Sequence, residues 1–356
     1  MSNITVSLAE LRRGIPVFGH IQTAYICGEP GTAKSSLLWM VAADLGDDYE
    51  PVYLDAPSLD QGDLTMMIPD VAERKLVQCL TDLIKIGNGK KKIIMIDEFG
   101  KCGRMLKKIF TRLILERTVG STKLEEGSIV FCTSNNVTDG VGDAIEGHEG
   151  NRVTFWNLRK PTVMEYIRDF ASQNGISTVT MAFCAMNESI GGSYMDSSQT
   201  CHPSNFNPRT NNRTFLSYRS LTKADLAYVQ NRHILGENMT FAGLVGTIGQ
   251  AGAEALASFI ALEKELVSTK AVLANPDGVP VPSKLAALYM MMFNAVEALE
   301  TQDDLSLFMR FVSRANSSEL ESVFFTMLVG NKKTVRMARN NATITKWITE
   351  NHQLLV

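Results

Sequence analysis

Two short stretches hold residue types whose order suits chemistry on a phosphate ester. The first, Gly28-Glu29-Pro30-Gly31-Thr32-Ala33-Lys34-Ser35-Ser36, has glycines that let backbone N–H groups turn toward an anion, then a lysine and two hydroxyls. Lys34 offers a point charge to the β- and γ-phosphates of a nucleotide, and Ser35 offers a hydroxyl to Mg²⁺. The second, Ile93-Ile94-Met95-Ile96-Asp97-Glu98, supplies two adjacent carboxylates. Asp97 is suited to hold Mg²⁺ through water, and Glu98 to take a proton from an attacking water as general base. Ala33 stands where such a loop normally carries its last glycine, and a methyl there reads as a mild change.

These groups work only if the chain positions them. The run Ala24-Tyr25-Ile26-Cys27 reads as a buried strand feeding the loop. Leu37-Leu38-Trp39-Met40-Val41 continues as a helix whose N-terminal dipole favours the triphosphate. The apolar residues before Asp97 describe a fully buried strand that delivers both carboxylates at its C-terminal edge, where open parallel sheets bind ligands.

Between about residues 5 and 160, β-branched runs alternate with helical patterns. Strands are expected near 23–27, 51–55, 93–97, 128–133 and 152–156, and helices near 7–13, 34–45, 70–86 and 103–117. That alternation predicts an α/β class with a doubly wound parallel sheet. From Thr162 onward the apolar spacing turns helical, as in Ala253-Leu256-Phe259-Ile260, Leu285-Leu288-Tyr289-Met292 and Leu305-Phe308-Met309-Val312. Residues 186–213, rich in Gly, Ser, Asn and Thr, read as a long loop. The break Asn275-Pro276-Asp277-Gly278, followed by Pro280 and Pro282, suggests a further boundary. The expected organisation is a nucleotide-binding core over 1–160, an all-helical lid over 161–274 and a C-terminal helical extension over 275–356. Tyr289-Met290-Met291-Met292-Phe293 reads as core at helical spacing, with a partner groove as the alternative.

The chain has 356 residues and a net charge of −3, so no global basic field argues for nucleic acid. Lys90-Lys91-Lys92 and Lys107-Lys108 read as solvated surface. The 6 cysteines are spread singly, without a C-x-x-C, and His148 and His202 lie far apart in polar loops, which gives a structural metal centre little support. Cys27 and Cys132 read as small core residues of a reducing compartment. No signal peptide opens the sequence and no apolar run approaches the ~18 residues of a membrane span, so a soluble, cytoplasmic protein is expected, with no membrane contact.

Beyond the loop and the carboxylates, Ser128-Ile129-Val130-Phe131-Cys132-Thr133-Ser134-Asn135 is a buried strand ending in a polar amide. With it in place, the chain resembles the AAA+ ATPase superfamily, within it the MoxR-like branch, and there the small stand-alone members of bacteria and phages. The matching stretches are GEPGTAKSS, LDQGDLT at 59–65, the block from IIMIDEFGKC to LILERTVG at 93–120, and CTSNNVTDGVGD at 132–143. EGNRVTFW at 149–156, FLSYRS at 215–220 and FAGLVGTIGQAGAEALASFI at 241–260 also match. Coverage is about residues 10–262, strong in the core and weaker in the lid. Glu29 departs from the family pattern, which has proline after the first glycine of the loop, and the stretch 170–213 matches poorly.

The resemblance implies ATP and Mg²⁺ as cofactors and a homo-oligomeric, hexameric ring with a site between subunits. It implies that Asn135 orients the hydrolytic water, although a turn-former at a strand end is an equal reading. It implies that Arg152 reaches the neighbouring subunit's nucleotide, and that a lid arginine touches its own subunit's nucleotide. Arg219 matches that second place best, with Arg209 and Arg213 close by. Asp60-Gln61-Gly62-Asp63 and Glu146-Gly147-His148-Glu149 are candidates for partner or pore contact, or ordinary solvated turns. The expected function is ATP hydrolysis coupled to remodelling or assembly of a protein partner. The alternative is an ATP-driven nucleic-acid motor or loader, which mild acidity disfavours. A ring with negligible turnover is disfavoured by the presence of Glu98 and Arg152.

Overall fold

Apolar runs of four or more residues bury both faces of a strand, and the first part of the chain is built on them. The computed structural model describes residues 4–135, 152–210 and 212–351. Its strands are β1 (Thr23–Cys27), β2 (Tyr49–Asp55), β3 (Thr65–Asp70), β4 (Lys75–Leu80), β5 (Lys91–Asp97), the short pair β6 (Thr118–Val119) and β7 (Thr122–Lys123), β8 (Ile129–Ser134) and β9 (Val153–Asn157). Five of them form one sheet in the order β2-β5-β8-β1-β9, and every pairing in it is parallel.

Alternation along β5 shows how the sheet is covered twice. Ile93 and Met95 face a layer made by α1 (Leu8–Phe18) and α2 (Leu37–Leu45), through Leu11, Ile15, Leu37 and Val41. Ile94 and Ile96 face the other layer, where α4 (Arg104–Glu116) contributes Leu106, Phe110 and Leu113. Each such side chain, taken wholly out of water, contributes roughly 1.5–3 kcal/mol, and this holds the strand ends in register. The register aligns Asp55 with Asp97 and Cys27 with Ser134, so the carboxylates, the loop and the end of β8 emerge at one edge. The fold is the α/β doubly wound parallel sheet with a phosphate-loop connection, followed by an all-helical region.

Two expectations are corrected. The helix expected near 70–86 is instead the antiparallel hairpin β3–β4, which follows the one-turn helix α3 (Gln61–Leu64). Its tight turn uses Arg74 at φ 50°, a left-handed value that breaks any helix there. Cross-strand pairing of Ile68 with Val77 and Met66 with Cys79 holds the segment as strands instead. The lysine run 90–92 is not all solvated. Lys92 is fully buried, with Nζ 3.0 Å from Glu50 Oε2 and a further bond to Asn88, because the outer strand β2 places Glu50 beside it.

The chain divides into two compact units, Met1–Lys160 and Pro161–Val356. The second is helical around one hydrophobic core. Tyr289, Met290, Met291, Met292 and Phe293 are buried in it with Phe183, Phe308 and Phe324, which makes the methionine run core rather than groove. Side chains from both sides of the proline-rich break at 275–282 share this core. Asp225, fully buried, accepts hydrogen bonds from Ser177 and Thr180 at the start of helix Thr178–Met186, which accounts for a charge in an apolar interior.

Candidate active site

The loop after β1 turns through two left-handed positions. Gly31 has φ 80° and Ala33 has φ 65°. A Cβ on Gly28 would stand 3.0 Å from the Leu158 carbonyl and 3.4 Å from Thr32 Oγ1, a tight approach that favours glycine there. Ala33 is therefore less mild a departure than the sequence suggests, since a left-handed L-residue costs about 1–2 kcal/mol. Lys34 to Ser36 form a single 3₁₀ turn, and α2 begins at Leu37.

Inside this cradle Lys34 is buried, and its ammonium donates to the carbonyls of Gly28 at 2.7 Å and Glu29 at 2.8 Å. It also donates to Asn135 Oδ1 at 2.9 Å. Pro30 is half-buried, Thr32 Oγ1 ties the loop by donating to the Glu29 carbonyl at 2.9 Å, and Ser36 is exposed at the helix start. Ser35 Oγ donates to Asp97 Oδ2 at 2.9 Å. Asn135 Nδ2 donates to Glu98 Oε1 at 2.7 Å. Lys34, Ser35, Asp97, Glu98 and Asn135 are thus brought to one place by the ends of β1, β5 and β8.

Three partners were not foreseen. Tyr53 OH donates to Asp97 Oδ2 at 2.8 Å, and partial burial together with that carboxylate pushes the phenol's pKa up. Thr133 Oγ1 donates to Asp97 Oδ1, which also accepts from the Glu98 backbone N–H at 3.1 Å. Lys101 Nζ lies 2.5 Å from Glu98 Oε2. Thr133 carried a signal, a hydroxyl inside an otherwise apolar strand. Tyr53 carried none, because only the β2–β5 register aims it at Asp97. Cys27, beside the loop, has its thiol pushed up to about 11 by burial, against the opposing pull of Lys34.

The oxygen donors fit Mg²⁺, which takes one or two carboxylates plus substrate phosphates and keeps several waters. Ser35 Oγ and the Asp97 carboxylate are such donors, already adjacent. Among the described residues no cluster of three or more His, Cys, Asp or Glu side chains is arranged to cage a metal.

The candidate arginines come from other stretches of the chain. Arg152 is half-buried and precedes β9, and Val153 pairs with Thr23 at the start of β1. It therefore sits a strand's length, roughly 16 Å at ~3.3 Å per residue, from the edge where its own loop begins. Arg219, the second residue of helix Tyr218–Ala224, is exposed, as are Arg209 and Arg213, all in the second unit. Asp60 and Asp63 form a reciprocal capping box at the start of α3, which gives both a structural role. Residues 146–149 lie outside the described residues.

Residues 24–147 match the model of the family described as ATPase family associated with various cellular activities (AAA). No curated protein matches the chain. Among solved structures, the chain is similar to the Thermotoga maritima RuvB Holliday junction branch migration motor, at 14% identity and TM-score 0.37, over 86% of this chain and 85% of that one. It is also similar to NtrX from Brucella abortus in complex with ADP, at 12% identity and TM-score 0.39, over 98% of this chain and 69% of that one. A third likeness is to Hsp104 with ATPγS and casein, at 14% identity and TM-score 0.31, over 47% and 38%. The strand order and the loop, not these distant likenesses, define the fold. What the comparisons give is therefore a match to the AAA ATPase family model over residues 24–147, less than half of the chain.

Proposed function

We propose that this chain binds ATP with Mg²⁺ and hydrolyses it, as a ring-forming ATPase of MoxR-like type that remodels or assembles a protein partner. The observation that carries the reading is the single hydrogen-bonded network of Lys34, Ser35, Asp97, Glu98 and Asn135 at one sheet edge. Gly28 to Ser36 cradle the phosphates, Ser35 and Asp97 hold the cation, and Glu98 takes the proton of the attacking water while Asn135 orients it. Arg152 acts on the neighbouring subunit's nucleotide, where a trans cation offsets charge on the transferring phosphoryl group. Its distance from its own loop supports that assignment. Arg219 serves as the lid contact.

A polypeptide partner is favoured by the hairpin β3–β4. Met66, Met67, Ile68, Leu76 and Val77 are exposed on it, an apolar surface unsuited to phosphate backbones. Burial of Lys92 removes a charge from the most basic run, which weakens the nucleic-acid alternative further.

The test is ATP turnover against protein concentration, with and without single- and double-stranded DNA, alongside the mass of the nucleotide-bound complex. Steep concentration dependence, a ring-sized mass and no DNA effect are expected. Stimulation by DNA would overturn the protein-partner assignment, and turnover independent of concentration would overturn the shared site.

A further inference from the structure

Asp97 is held by donors on both of its oxygens. Thr133 Oγ1 and the Glu98 backbone N–H, the latter at 3.1 Å, donate to Oδ1. Ser35 Oγ at 2.9 Å and the Tyr53 phenol at 2.8 Å donate to Oδ2. An ionised carboxylate only accepts hydrogen bonds, so all of these partners act together to fix its orientation. The two on Oδ2 differ in kind. Ser35 is itself an oxygen ligand suited to Mg²⁺, whereas the phenol of Tyr53 is bonded to Asp97 alone.

We propose that Tyr53 is a positioning residue for Mg²⁺, which orients the Asp97 carboxylate by holding Oδ2 from the neighbouring strand. The proposal rests on the reading of Ser35 and Asp97 as the groups that hold the cation.

The sheet explains why a tyrosine stands there. Side chains alternate along β2: Val52 and Leu54 are buried with Ile94 and Ile96 in one core layer, and Tyr53 takes the opposite face. Tyr53 pairs with Met95, and Asp97 lies two residues further along that same face of β5, within reach of the phenol. Because β2 is the outer strand of the sheet, Tyr53 keeps 41% of its surface in solvent, while Asp97 keeps 7%. The ring therefore adds little to the core, and Tyr53→Phe removes one hydrogen bond while leaving the ring in place.

That bond matters more with the cation than without it. In the nucleotide-free site Ser35 and Tyr53 share Oδ2. Once the Ser35 oxygen serves Mg²⁺, the phenol is the side-chain donor whose only task is to keep Oδ2 aimed. Partners that orient a ligating group in this way govern roughly ten- to a hundredfold in metal affinity, and a carboxylate that acts through water puts Tyr53 at the lower end.

The experiment compares the full chain as wild type and as Tyr53→Phe, with folding checked by thermal melting. Affinity for AMP-PNP, a non-hydrolysable ATP analogue, is measured by titration calorimetry at one fixed Mg²⁺ concentration and again in EDTA. In EDTA the two chains are expected to bind alike. The gain in affinity that Mg²⁺ brings is expected to be about tenfold smaller in Tyr53→Phe, and the Mg²⁺ concentration for half-maximal ATP turnover to rise by a similar factor. A folded Tyr53→Phe with the wild-type gain overturns the proposal. So does a variant that loses affinity equally with Mg²⁺ and in EDTA, because the tyrosine would then shape the loop and not the cation site. Both results leave ATP binding standing. A wild type whose affinity does not depend on Mg²⁺ overturns the metal role of Ser35 and Asp97, and this proposal with it.

Discussion

Lys34 and Glu98 are joined through one side chain: Asn135 accepts from the lysine at 2.9 Å and donates to the carboxylate at 2.7 Å. The amide orientation is fixed by its neighbours, since the reverse orientation would set its NH₂ against an ammonium and its oxygen against a carboxylate. Asn135 therefore reports on the phosphate-binding lysine and the base at once. Asn135→Ala is expected to retain ATP binding and to lower kcat roughly ten- to a hundredfold, the loss of one hydrogen bond to a charged group in the transition state. Titration calorimetry and steady-state kinetics check it, and an unchanged kcat would remove Asn135 from the mechanism.

Ala33 offers a test of the loop's geometry. At φ 65° it occupies a conformation that glycine adopts without steric cost. Ala33→Gly relieves that strain but frees more of the unfolded chain, and the strain is the larger effect. A net gain of about 1 kcal/mol is expected, seen as a rise in Tm of roughly 2–4 °C with nucleotide affinity preserved. A lower Tm would mean that the loop is not left-handed there.

The buried Lys92 pair predicts a pH signature away from the site. Glu50 accepts from Asn88, Lys92 and Lys85, and these bonds hold its carboxyl near a pKa of about 2. Its unfolded value is about 4.3, so the unfolded state binds the proton first as pH falls. The stabilisation is therefore complete above about 4.3 and is lost between there and about 2. Glu50→Gln is expected to destabilise by about 3–5 kcal/mol near neutrality, because it strands a buried ammonium. The gap to wild type should narrow as pH falls through that window. A gap that stays constant down to pH ~2 would show that the Glu50 charge contributes nothing.

Arg152 and Lys34 lie at opposite edges of their own sheet, so a shared site is tested by mixing. Arg152→Ala and Lys34→Ala subunits are each expected to be inactive alone. Mixed, they should recover part of the turnover, because an interface can then pair an intact loop with an intact arginine. No recovery in mixed assemblies would count against a trans arginine.

The sequence made the site's main groups legible because each sits at the end of an apolar run, and such runs are read easily as buried strands. Cys27, Asp97 and Asn135 all follow that rule. What it left out depends on register and backbone sign. Tyr53 meets Asp97 only because β2 pairs with β5 in one register, and Lys101 meets Glu98 only through a left-handed turn. The hairpin at 65–80 misled for a related reason. Its apolar residues fit a helical period as well as a strand's, and the left-handed Arg74, which carries no compositional mark, decides between them. Lys92 looked solvated because charge runs usually are, and the neighbouring strand that supplies Glu50 lies far off in sequence.

The central claim is that one edge of this sheet binds and hydrolyses ATP, and paired measurements on Lys34→Ala and Glu98→Gln test it most directly. With Mg²⁺ present, Lys34→Ala is expected to lose ATP binding. Glu98→Gln is expected to bind ATP as wild type does, while its turnover falls on the order of 10²–10⁴-fold. Retained ATP affinity in Lys34→Ala, or wild-type turnover in Glu98→Gln, would contradict the account.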